Sequence, residues 1–486
     1  MIIFNLRRFS GQILYLLAIV VLCSNSSFAD DVTRREADGQ PLAANVKRLL
    51  QALDSLGAPL EASRRDDISK AISAEDGVAL QTLLDPVVLF VIEINPELRV
   101  KVKRGPGDPV LQQGGYTPVV IKVINDATLA RSLNISSPQA GAVYGGAAEG
   151  ILLRQAQTEL KRNENTNRER RFLDVEMFDH SPMTAKLSGL NVEYALALIH
   201  CSEAGAREAT IAFDVGEGTQ DLGVRSEVPV LFSIRPAIPV KLSIHDADGQ
   251  PTTARLEFRD QHGRVYPPQA KRLAPDFFFQ PQIYRKDGDV VLLPPGEFTL
   301  ESSHGPEYVR QVRNVTITVG ERSGVSPPVQ VTPEQQADAT LAVNLQRWIN
   351  PADSGFFSGD HHIHAAGCSH YDNPTQGVTP SDMFNQVKGE GLNVGCVLTW
   401  GPDFPCMSSR RVGQGRVYVQ LGKVKDVDFS AWCGGIAAGR SYVSDGYAHA
   451  TSFTVNGSAA GTEDVALAAP AAVIIETSVA FAPEQP

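Results

Sequence analysis

The amino-acid sequence predicts a multidomain, mainly β protein: two β-sandwich-like modules behind a short helical segment, then a smaller α/β domain. Three observations predict it. Glycine (41) and proline (31) are abundant in 486 residues, and long stretches of helical periodicity are few. Short apolar runs bounded by turn residues recur between positions 86 and 332. The length accommodates about three domains at roughly 150 residues each. With 43% hydrophobic and 20% charged residues, the chain has apolar material for real cores.

In chain order, residues 1–29 read as a secretory signal. Arg7 and Arg8 precede the short apolar run ILYLLAIVVLC, and SNSSFA ends in a small-residue cleavage pattern near Ala29. The run is too short to span a bilayer comfortably, and no other segment is expected to cross one. The mature chain is therefore expected to be exported, periplasmic or extracellular. Removing the leader takes away Arg7 and Arg8 and no acid, so the formal charge moves from −11 to −13. A chain this acidic has no electrostatic reason to seek nucleic acid. Five cysteines remain (Cys201, Cys368, Cys396, Cys406 and Cys433), an odd, sparse set without C-x-x-C that does not form a disulfide framework.

Residues 30–85 read as a helical N-terminal segment. Val46, Leu49, Leu50, Leu53 and Leu56 fall at helical spacing, and a second short helix is expected from about Ile68 to Leu84. Residues 86–235 read as a β-sandwich-like domain, from PVVLFVIEINP to VPVLFSI, with the charged run ELKRNENTNRERR as a solvated insertion. A second β unit covers 236–332, where VKLSIHDADGQPTTARLEFRD gives two alternating strands about an Asp-Gly turn. Its LPPGEFTL run resembles transthyretin-like, carboxypeptidase-regulatory-like modules. SPPVQVTPEQQ reads as a linker, ATLAVNLQRWI as a strand leading into the next domain, and 447–486 as a C-terminal β extension.

The segment FFSGDHHIHAAGCSHYDNPTQG holds four of the ten histidines: His361, His362, His364 and His370. Residues i and i+2 of a strand share a face, so His362 and His364 would project together and could begin a metal site. Asp360 could orient one imidazole from behind. His370, six residues on, stands where a glycine-containing loop could return a third ligand, and Asp372 is an oxygen alternative. Against this, an H-x-H pair also occurs on ordinary strands, and a histidine-rich turn can simply be solvated. Cys368 reads as a buried or metal-adjacent thiol, because no base for a nucleophile is evident. Neither a phosphate loop nor a G-x-S-x-G elbow is present.

SGDHHIHAAGCSHY with PTQGVTPSDMFNQVKGEGLNVGCVLTW resembles the opening of a polymerase-and-histidinol-phosphatase (PHP) type metallohydrolase, of the exported carbaryl-hydrolase-like branch. That family's first motif, Asp-x-His-x-His at the end of the first barrel strand, matches Asp360, His362 and His364, and His370 matches a histidine six residues later. INPELRVKV, GTQDLGVRSEV and LAPDFFFQPQIYR resemble the non-catalytic leader of such proteins. The resemblance implies a TIM-like α/β domain over 333–446 and a divalent ion (zinc, manganese or iron) on His362, His364 and His370. It also implies that metal-activated water cleaves phosphoester or carbamate/amide-type bonds. The family's Thr-Asp-His motif corresponds to VLTWGP, where Thr399 is kept while Trp400 and Gly401 replace the acid and the ligand. AWCGGIAAGRSYVSDG resembles the closing part of the same domain, so the resemblance implies an internal gap near residues 402–403. Length agrees: 127 residues run from Asp360 to Pro486, whereas a closed (β/α)₈ barrel takes about 250. His449, Asp445 and Glu390 could in principle complete a small site, but each reads more simply as an ordinary surface residue.

Two functional readings follow. One is an exported metal-dependent hydrolase with an incomplete catalytic domain and a small-molecule substrate. The other is a non-catalytic exported β-sandwich protein that binds a glycan or a protein partner. A working metal centre requires at least three protein ligands and an open position.

Overall fold

The computed structural model describes residues 34–140, 172–216, 225–272, 275–318, 339–363, 378–397, 416–462 and 464–483. The expected signal (1–29) and the charged insertion (159–171) fall outside these residues.

Three helices open the chain: α1 (Gly39–Ser55), α2 (Ala62–Ser73) and α3 (Gly77–Leu84). The single helix expected from Ile68 to Leu84 is two. Glu75 takes a positive φ of 50°, and Asp76 starts a new helix by accepting hydrogen bonds from the Val78 and Ala79 amides at 3.0 and 2.9 Å.

The first sandwich comprises β1 (Val88–Ile94), β2 (Val100–Arg104), β3 (Val110–Gln112), β4 (Tyr116–Asn125), β5 (Asn134–Ser136), β6 (Leu173–Met177), β7 (Val192–Cys201), β8 (Gly205–Asp214) and β9 (Arg225–Arg235). One sheet runs β2-β1-β4-β7-β6 and the other β3-β9-β8-β5. Phe90, Ile121, Ile199, Phe213 and Phe232 pack between them. The first sheet is covered on its other face too, where Leu42, Val46, Leu49 and Leu53 of α1 meet Val120, Ile124 and Leu196. That double burial is why β1, β4 and β7 read as near-continuous apolar runs rather than alternating ones.

Two polar devices lock the helices down. Beyond Met177 no strand among the described residues accompanies β7 on that edge, and the Asn45 side chain takes that place. It accepts from the Tyr194 amide at 2.8 Å and donates to the Tyr194 carbonyl at 3.0 Å. Lys122, fully buried, reaches Asp85 at 2.9 and 3.0 Å, and the Tyr194 hydroxyl donates to the same carboxylate at 3.0 Å. Burial holds Lys122 below the usual lysine range and Asp85 above the usual carboxylate one.

The second module comprises β10 (Ile238–His245), β11 (Thr253–Asp260), β12 (Val265–Tyr266), β13 (Ile283–Lys286), β14 (Val290–Leu293), β15 (Gly296–Ser303), β16 (Gln311–Ile317) and β17 (Ala339–Asn344). Its sheets run β14-β10-β17 and β12-β11-β15-β16, with β13 beside β11, and Leu242, Ile244, Leu256, Phe258 and Leu300 fill the space between them. β17 pairs in parallel with β10, so ATLAVN completes this module's sheet.

The third unit comprises β18 (Phe356–Ile363), α4 (Pro380–Gly389), β19 (Val394–Val397), β20 (Arg416–Gln420), α5 (Phe429–Ala437) and β21 (Ser441–Ser444), in the order β19-β18-β20-β21. The expectation of a TIM-like domain is corrected here. β18 has a parallel neighbour, β19, on one edge and an antiparallel one, β20, on the other. A (β/α)₈ barrel needs parallel partners on both edges, so the described residues form a small open mixed sheet. Trp432 of α5 closes its core, lying over Gly359, where an added Cβ would come within 2.3 Å of the indole. Last come β22 (Ala448–Val455), β23 (Ser458–Ala459) and β24 (Ile475–Phe481), a three-stranded sheet whose Phe453, Ile475, Val479 and Phe481 are exposed. No helix among the described residues is long and apolar enough to cross a membrane.

Candidate binding cleft

The second module and the third unit meet along α4, which packs on β11 and β13. Tyr284 donates to Glu390 at 2.5 Å, and Arg416 pairs with the other Glu390 oxygen at 3.0 Å. Gly389 has no room for a side chain, since a Cβ there would lie 2.4 Å from the Tyr284 ring. Beside this joint opens a cleft of 570 Å³.

Its floor is built by the turn after β15. Gly305, with φ of +88°, turns the chain so tightly that a Cβ would strike the Glu390 carbonyl at 2.2 Å. The turn sets His304, Glu307 and Tyr308 in a row, all buried. Glu307 accepts from the Tyr418 hydroxyl at 2.5 Å and lies 3.5 Å from Arg416. Tyr308 is bonded by Arg347, which also reaches Asp246 at 2.9 Å. Burial, with Asp246 beside it, raises the Tyr308 phenol far above its ordinary value. The His304 ring meets Tyr308 edge-on at 4.6 Å, and its Nδ1 lies 2.5 Å from the Thr253 carbonyl. A carbonyl only accepts, so Nδ1 carries the proton. Burial keeps the ring below its ordinary pKa, and Nε2 is left as an acceptor. Ser358 bonds Gly391 and Asn393 on the opposite wall. Thr252, Asn385, Lys286, Lys388 and Asp287 add polar groups to the lining, and Ile349, Pro351 and Phe356 add apolar ones.

The floor is thus polar and aromatic, and fixed by protein–protein hydrogen bonds. Among the described residues, no three His, Cys, Asp or Glu side chains are grouped as metal ligands.

Asp360, Glu390, Asp445 and His449, the described side chains among those singled out in the sequence, do not line this cleft. Asp360 and the backbone of His362 belong to β18, with Asp360 half-buried. The His362 side chain, and His364, His370, Asp372, Cys368, Thr399, Trp400, Gly401 and residues 402–403, lie outside what is described. Asp445 is an exposed turn residue, as read from the sequence. Glu390 instead bridges the joint. His449 is not a surface residue either: it is fully buried against Trp348 and Tyr418, with Tyr442 3.1 Å from its Nδ1. Cys201, Cys396 and Cys433 are free thiols. His304 stands alone in ESSHGPEY, and no local spacing marks it.

No protein-family pattern matches the chain, and no curated protein is similar to it. Among solved structures, the Bacillus cereus major pilin subunit BcpA aligns at 11% identity over 49% of this chain and 67% of its own, with a TM-score of 0.16. The Bacillus anthracis TIE protein aligns at 10% identity over 71% of this chain and 60% of its own, TM-score 0.16. The group B streptococcus pilus 2b backbone protein aligns at 8% identity over 48% and 87%, TM-score 0.16. These scores are too low to carry an argument about function. The expected membership in the PHP metallohydrolases is corrected on other grounds: no family model matches the chain, and the described residues of the third unit form a mixed sheet. With the mixed sheet in place of a barrel, the hydrolase reading is withdrawn.

Proposed function

We propose that this chain is an exported, non-catalytic β-rich binding protein whose cleft between the second module and the third unit takes a glycan. The observation that carries this reading is the cleft floor. Tyr308 and His304 supply ring edges, and Ser358, Asn385 and Thr252 supply hydrogen-bonding groups around one 570 Å³ space. Ligand sites are concave, lie preferentially at domain junctions and carry a few oriented polar groups. Export rests on the leader read in residues 1–29.

The test is a glycan array probed with the mature chain and with an Asn385→Ala/Lys388→Ala variant. These residues are half-buried and exposed, so the fold should survive their loss. A discrete set of glycans bound by the wild type, and at least about tenfold more weakly by the variant, is expected, as for loss of one to two hydrogen bonds. Folded protein that binds no glycan overturns the reading. The divalent-ion site expected at His362, His364 and His370 stands as a separate proposal. Elemental mass spectrometry of untagged protein beside His362→Ala decides it: metal lost in the variant supports the site, and none in either ends it.

A further inference from the structure

A second cavity, of 390 Å³, lies where the end of α1, the β3–β4 corner and residues 262–269 come together, and it shares no lining residue with the cleft. Its inner wall is apolar and buried: Leu53, Leu56, Leu111, Val119, Val120 and Val265. Its rim carries both signs of charge, with Arg235 and Arg264 beside Glu61 and Asp108. Arg235 and Arg264 line it, both are exposed, and among the described residues no carboxylate lies within ion-pair distance of either.

The nearby acids are otherwise engaged. His262 faces Glu61 at 3.5 Å. Asp260 accepts from the His262 and Arg264 amides at 2.9 and 3.0 Å and from the Tyr266 hydroxyl at 3.2 Å. Asp108, also at the rim, sits in the field of Arg104. Burial and then Asp260 push the Tyr266 phenol up to about 12. A smaller cavity of 290 Å³ shares Arg235, His262 and Tyr266 and extends the mouth outward.

We propose that this cavity binds a small amphiphilic carboxylate, with its alkyl or aryl chain against the apolar wall and its head group between Arg235 and Arg264. An apolar interior alone would suit any hydrocarbon. Two guanidiniums with no carboxylate among the described residues within ion-pair distance can meet a planar anion in bidentate fashion. This inference is independent of the glycan reading.

Isothermal titration of the full mature chain with hexanoate, octanoate and decanoate tests it, with decanol as the uncharged control. Affinity should rise about fourfold per added CH₂ as chain is buried. Decanol should bind at least about tenfold more weakly than decanoate, the scale of a lost charge-assisted contact. The Arg235→Gln/Arg264→Gln variant alters only exposed side chains and should lose a similar factor for decanoate while keeping its circular dichroism. No binding by the wild type, affinity independent of chain length, or equal binding by the variant overturns the proposal.

Discussion

Lys122 is the residue whose chemistry most opposes its position. An ammonium in the centre of a doubly covered sheet is tolerated because Asp85 and the Tyr194 hydroxyl are placed to meet it. Removing one partner leaves an uncompensated charge, so Lys122→Met should cost about 3–5 kcal/mol in urea unfolding. Lys122→Met with Asp85→Leu should cost less than the single change, because no buried charge then remains.

The buried histidines make a different prediction. Burial holds His200, His304 and His449 below the ordinary value of 6.5. The unfolded chain therefore takes up protons at these sites before the folded one does. Their contribution is intact above about pH 6.5 and is lost as pH falls toward the folded-state values, by at most about 1.4 kcal/mol per unit for each histidine. Thermal melts from pH 7.5 to 5.5 should show the decline, and His449→Phe should flatten it. The three histidines have little in common in sequence, since burial is a property of the packed neighbours. His449 could be read as a surface residue for that reason: Trp348 and Tyr418, which enclose it, lie 101 and 31 positions away.

At the scale of the element, periodicity carried the reading well where one element buries one stripe. The α1 stripe of Val46, Leu49 and Leu53 and the runs of β1, β4 and β7 were legible. The break between α2 and α3 was not, because it depends on one positive φ and one capping carboxylate. The partner of β17 was not legible either. A six-residue strand states that it is a strand, and nothing in it names the sheet it joins. The cleft was invisible for the same reason, being assembled from segments between residues 251 and 418. Gly359 shows how tightly the third unit relies on such distant contacts. Gly359→Ala drives a methyl into Trp432 and should cost roughly 1–3 kcal/mol, with a red shift in tryptophan emission as the indole is displaced.

Over the whole molecule, core quality falls from one end to the other. The first sandwich is covered on three layers, whereas β24 leaves Ile475, Val479 and Phe481 facing solvent. Exposed apolar strands associate. Sedimentation velocity should show concentration-dependent association of the mature chain, and Ile475→Lys with Phe481→Glu should abolish it. Fold class was the part of the whole most open to sequence reading, because many short strands with turn residues between them can only make β layers. Identity was the least, because the histidine cluster that prompted a metallohydrolase expectation is a local string, while a barrel is a statement about neighbours.

The parallel pairing of β10 with β17 bears on mechanics. The chain enters the second module on β10 and leaves it on β17, and six residue pairs, from Val240–Ala339 to His245–Asn344, join the two. A pull between the flanking units acts on opposite ends of that ladder. It loads the rungs in shear, all at once, instead of peeling them apart singly. Stretched in an optical trap, this module should yield at a higher force than the terminal sheet, whose β22–β24 hairpin can unzip from one end.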